Sequence, residues 1–161
     1  KKYFSKAWVS YPSEVVGEKL FKVLGMLKQK SDQNEHLNSW IAKFPNSPLA
    51  VLFQAVNYQQ KGERSKAIGG YEKVLKVAPN NVMALNNLGW IYFEKGNDTA
   101  LELLKRASEL APESAGVLDS YGWVLANSGQ VDEGLIYLEK ANKLSPEIQE
   151  ISDHLEKVKK M

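Results

Sequence analysis

ALNNLGWIYFEKGNDTALELLKRASELAP, residues 84–112, reads as two amphipathic helices joined at a glycine and closed by a proline. In its first half Leu85, Leu88, Gly89 and Tyr92 fall at i, i+3, i+4 and i+7, a single stripe along a 3.6-residue helix. In its second half Ala100, Leu104 and Ala107 keep helical spacing. Gly96 stands between them, where the end of a helix favours a left-handed residue. Pro112 cannot continue a helix and so ends the second one.

The same punctuation recurs along the chain. Pro12, Pro45, Pro79, Pro112 and Pro146 are separated by 33, 34, 33 and 34 residues, and Gly62, Gly96 and Gly129 by 34 and 33. A fixed period of this length marks a stack of supersecondary units, each unable to bury its apolar face alone. The first helix of the next unit repeats the stripe as Leu118, Tyr121, Gly122 and Leu125, while the preceding unit keeps Val51, Ala55 and Tyr58 and breaks it at Gln54. Second helices carry Ala67, Tyr71 and Val74, then Gly134, Leu138 and Ala141. Small residues at these positions admit close helix approach. The pair Gly69-Gly70, inside a second helix, is expected to mark such an approach.

These residues resemble the tetratricopeptide repeat closely. The resemblance implies an all-α fold: a right-handed superhelical solenoid of antiparallel helix pairs. Full repeats are expected at 48–81, 82–114 and 115–148, and a degenerate one at 14–47. The degenerate unit has Lys28-Gln29-Lys30 in place of the turn glycine and Trp40 where a small residue is expected. Residues 1–12 read as the second helix of a truncated repeat, which points to a longer array. Ile148, Ile151, Leu155 and Val158 form a narrow stripe on an otherwise polar helix. Residues 148–160 are therefore expected to be a C-terminal capping helix with a neighbour on one side only.

In this family the first helix of each pair lines a concave groove, and its residues outside the core project there. By register the groove is expected to contain Leu52, Phe53 and Val56, then Met83, Asn86, Asn87, Trp90 and Phe93, then Asp119, Ser120, Trp123 and Asn127. Trp90 and Trp123 share a register and either anchor a bound chain or pack between first helices, filling space beside Gly89 and Gly122. Asn86 and Asn87 either bond the backbone of a peptide or face solvent. Repeats that grip a peptide's terminal carboxylate use Lys, Arg and Asn at positions that here hold Leu52, Val56 and Gly116, which argues against that activity.

The net charge of +2 gives little reason to expect nucleic acid as a partner, and the expected groove holds no Lys or Arg. The charge is uneven: residues 1–30 carry seven Lys against Glu14 and Glu18, which reads as a solvated face or else a docking patch. There is no cysteine, and His36 and His154 lie far apart, so no metal site or cofactor is expected. No phosphate loop, nucleophile elbow or distinct carboxylate pair occurs, and no catalysis is expected. The expected partner is a protein or peptide.

Residues 84–96, 99–112, 117–123 and 132–147, with paired Gly89-Trp90 and Gly122-Trp123, further resemble the C-terminal repeats of bacterial PEP-CTERM system TPR-repeat lipoproteins. That resemblance implies a periplasm-facing scaffold of the cell envelope, held by an N-terminal lipid outside this stretch and linked to exopolysaccharide production and exosortase protein sorting. A cytoplasmic location, a purely structural capping role, and an assembly role in another envelope or secretion system are the alternatives.

Overall fold

The computed structural model describes residues 1–161, all helices and turns without a strand. Two compact units divide the chain, Lys1–Ala78 and Pro79–Met161. The first holds α1 (Lys2–Ser10), α2 (Glu14–Met26), α3 (Lys30–Lys43), α4 (Pro48–Gln60) and α5 (Arg64–Val77). The second holds α6 (Val82–Glu94), α7 (Ala100–Leu110), α8 (Ala115–Asn127), α9 (Val131–Leu144) and α10 (Gln149–Val158). Helices α2–α3, α4–α5, α6–α7 and α8–α9 pack as hairpins.

Local chemistry sets the helix ends. After each of the first three periodic prolines a short polar side chain accepts a backbone N–H of the new helix: Ser13 from Val16, Ser47 from Ala50 at 3.1 Å, and Asn81 from Ala84 at 2.9 Å. Between the helices of a pair, Gly62, Gly96 and Gly129 adopt left-handed φ of 75°, 67° and 89°. Lys28 stands at the same register in the degenerate repeat and adopts the same conformation, φ 55°. The turn therefore forms without its glycine, at the expense of a crowded β-carbon.

A simple rule relates proline register to burial. Eight residues before each later proline stand Leu37, Tyr71, Leu104 and Leu138; five before stand Trp40, Val74, Ala107 and Ala141. None of the eight is more than 1% exposed. Burying each large aliphatic side chain stabilises by about 1.5–3 kcal/mol. In α1 the corresponding Phe4 and Ala7 are only half-buried, and Trp8 is the buried residue.

In the degenerate repeat Trp40 is fully buried because Gly17 makes room: a β-carbon on Gly17 would lie 2.8 Å from the indole. Trp40 Nε1 donates to Glu14 Oε2 at 2.9 Å, and the Ser47 hydroxyl donates to the same oxygen at 2.7 Å. This network ties the starts of α2 and α4 to the end of α3. His36 Nε2 donates to the Gly17 carbonyl at 2.8 Å, and burial pushes its pKa below the ordinary value.

Of the glycine pair in α5, a β-carbon on Gly70 would meet Ala55 Cβ at 2.7 Å, whereas Gly69 has nothing within 4 Å. Close approach thus accounts for Gly70 alone. In α10, Ile151, Leu155 and Val158 are buried, but Ile148 is 40% exposed and precedes the helix as its N-cap.

Candidate functional site

In the second unit, packing and exposure divide α6 between two faces. A β-carbon on Gly89 would lie 2.7 Å from Leu104 and 3.2 Å from the Ala100 carbonyl, so this side of α6 lies against α7. Met83, Asn86, Trp90 and Phe93 follow at helical spacing as a second stripe. Met83 is 48% exposed and the other three are half-buried. The Trp90 and Phe93 rings lie 6.0 Å apart. Asn86 donates to Asn87 at a long 3.5 Å, and Asn86 Oδ1 is buried without a hydrogen-bond partner.

The two tryptophans do not fill the glycines' space. Leu104 occupies the room beside Gly89, and Leu138 with the Gly134 carbonyl occupies that beside Gly122. Both indoles instead meet His154 of α10. The imidazole stacks on Trp123 at 4.2 Å and on Trp90 at 6.3 Å, with interplanar angles of 26° and 23°. Its Nδ1 donates to both Asp119 carboxylate oxygens, at 3.0 and 2.9 Å. Lys157 lies over the Trp123 ring at 5.8 Å, and its cation meets the negative face of the indole.

Three expected groove residues are corrected by burial. Leu52 is 3% exposed, in the core of the first unit. Asp119 is 7% exposed because α10 covers it and pairs it with His154. Ser120 is 8% exposed and donates to the Gly116 carbonyl at 2.9 Å, back-bonding along its own helix. Asn127 is exposed, with its amide donating to the Trp123 carbonyl at 2.8 Å. Phe53 and Val56 lie in the first unit, both half-buried. Phe53 stacks on Phe21 at 4.4 Å, a partner on α2 that register counting from the better repeats did not supply. His154 is absent from the expected site, and the signal that could have found it is a polar residue on the apolar stripe of α10, between Ile151 and Leu155. No three His, Cys, Asp or Glu side chains are grouped so as to hold a metal ion.

Fold and surface together define a protein built from repeated helical hairpins. Residues 71–102 and residues 115–148 each match a tetratricopeptide repeat family, and the chain carries tetratricopeptide repeats. A TPR repeat-containing protein of Pseudomonas aeruginosa is 33% identical over 131 residues, covering 78% of this chain and 22% of the relative. The O-GlcNAc transferase of Thermobaculum terrenum is 34% identical over 69% of this chain and 22% of that one, with a TM-score of 0.66. YrrB, a TPR protein with an unusual peptide-binding site, shares the fold at TM-score 0.73 and 19% identity, over 96% of this chain and 81% of its own. The chain thus spans about a fifth of the length of the first two.

Proposed function

We propose that this chain is a non-catalytic scaffold that binds a peptide segment or helix of a partner protein along the open stripe of α6. The supporting observation is the division of labour on that helix. One face is spent on packing against α7, while Met83, Trp90 and Phe93 present apolar surface that no neighbouring helix of the unit fully covers. Aromatic side chains of this kind are the usual anchors of a protein interface. Trp90 and Phe93 are the binding anchors; Trp123, whose ring lies closer to His154 than that of Trp90, mainly seats α10. YrrB, of the same fold, has a peptide-binding site, which is consistent with this use of the architecture.

The test is a displayed peptide library selected on the intact chain, followed by affinity measurement on variants. Trp90→Ala is expected to weaken the selected peptides at least about tenfold, the loss of one anchor, while the melting temperature stays close to the parent's. Phe93→Ala also trims packing on the buried Leu104–Tyr121 cluster and is expected to lower binding by more than it lowers stability. Loss of stability equal to the loss of binding, or a selection that yields no binder, overturns the reading.

The setting we favour is a bacterial envelope lipoprotein facing the periplasm, linked to exopolysaccharide production and exosortase sorting. Its support is the resemblance carried by Gly89-Trp90 and Gly122-Trp123. Recovery of the full-length protein in the cytoplasmic fraction alone would rule it out. A second reading, in which the chain ends a longer array and binding occurs upstream, draws on α10, whose inner stripe is buried and outer face polar. It predicts that a pull-down with this fragment recovers nothing where the full protein recovers a partner.

A further inference from the structure

The hairpin turns of the repeats provide an internal comparison. At the end of α4 the turn reads Gln60-Lys61-Gly62-Glu63, at the end of α6 Glu94-Lys95-Gly96-Asn97, and at the end of α8 Asn127-Ser128-Gly129-Gln130. All three are polar and pivot on glycine. The turn between α2 and α3 reads Met26-Leu27-Lys28-Gln29-Lys30. Met26 is 82% and Leu27 52% exposed, and Lys28 and Lys30 are exposed beside them. The turn thus replaces polar residues by apolar ones and glycine by lysine, and it keeps the left-handed backbone at Lys28. A bond from Lys1 to Asp32 pins the start of α1 at the same end of the unit, bringing exposed Lys2 and Tyr3 there. Of the acidic groups at this end, Asp32 is engaged by Lys1, and Glu35 lies a turn further along α3.

We propose that this turn is a docking tip for an anionic phospholipid surface, with Met26 and Leu27 entering the interfacial layer and Lys28, Lys30 and Lys2 facing the headgroups. The chemistry is that of peripheral membrane contact: exposed apolar side chains flanked by lysines. Exposed apolar side chains suit a yielding lipid layer better than an acidic protein, which would have to supply a matching apolar pocket. The surface differs from the α6 stripe, so the two readings stand or fall separately.

The intact chain is sedimented with vesicles of phosphatidylcholine alone or mixed with phosphatidylglycerol. Binding is expected only to the mixed vesicles and is expected to weaken with added salt. Lys28→Gly is the informative variant, because it removes a charge while giving the turn its favoured residue; it should lower vesicle affinity about fivefold without lowering the melting temperature. Paired Met26→Ser and Leu27→Ser should lower it further. Equal binding to both vesicle types, no binding, or variants that bind like the parent would each overturn the proposal. So would lysine-dependent binding to polyglutamate that is indifferent to Met26 and Leu27, which assigns the tip to an acidic polypeptide.

Discussion

Gly17 and Trp40 share one space: the β-carbon that Gly17 lacks would sit 2.8 Å from the Trp40 indole, which is completely buried. Gly17→Ala is therefore expected to destabilise the first unit by about 1–3 kcal/mol through overpacking. Trp40→Ala leaves a void and removes one of the two hydrogen bonds to Glu14, for about 3–5 kcal/mol. Urea denaturation measures both. Combining Gly17→Ala with Trp40→Phe should cost less than the two changes summed; strict additivity would show that the residues do not compete for the same volume.

Lys28 holds a left-handed backbone that its register partners assign to glycine. Lys28→Gly removes the β-carbon crowding but gains freedom in the unfolded chain, and the balance is expected to be a stabilisation of about 0.5–1 kcal/mol. An unchanged or lowered denaturation midpoint would contradict the strain.

Neighbouring glycines in α5 should respond oppositely. Gly69→Ala adds a methyl to open space in a helix interior and is expected to stabilise by about 1 kcal/mol. Gly70→Ala drives a methyl into Ala55, at 2.7 Å, and is expected to destabilise. Thermal melts of the two variants should shift to opposite sides of the parent.

The Asp119–His154 pair fastens α10. His154→Ala leaves the buried Asp119 carboxyl without its hydrogen-bond partner and is expected to cost about 1–3 kcal/mol. Hydrogen exchange should show the loss first in α10, accompanied by a change in Trp123 fluorescence. Protection in α10 equal to the parent's would mean that Ile151, Leu155 and Val158 hold the helix alone.

Tyr121 is buried against Tyr137, and burial first, then the charges of Glu133 and Glu109, push its pKa up to about 12. The folded chain thus holds this proton more tightly than the unfolded one, whose tyrosine titrates near 10. Stability from this group is intact below pH ~10 and is lost as pH rises through about 12. Tyr121→Phe should flatten that decline, which is read from denaturation curves at increasing pH. Absorbance titration should show a late tyrosine ionisation that Tyr121→Phe removes.

The period of prolines and glycines announced the helical hairpins because backbone chemistry at a turn is local and residue-specific. Burial along the second helices followed from the same count, as Leu104 and Ala107 illustrate. The surface was less legible. Asp119 looked like a groove residue because register counting treats every first helix as open, and only the seating of α10 shows that its neighbour closes over it. His154 counted as an isolated histidine because its partner is 35 residues away in sequence. Trp40 looked misplaced because its compensation, Gly17, lies on a different helix and is recognisable only as a shape.

The eight fully buried positions of the second helices are filled with side chains of very different bulk, from Trp40 to Ala107 and Ala141. The hairpins share a blueprint but are not spare parts for one another. Transplanting α7 into the place of α3 would leave an indole-sized hollow opposite Gly17, and the reverse exchange would force that indole where an alanine fits. Shuffling or duplicating repeats in this chain has to move both helices of a hairpin together, because the unit of inheritance is the matched pair.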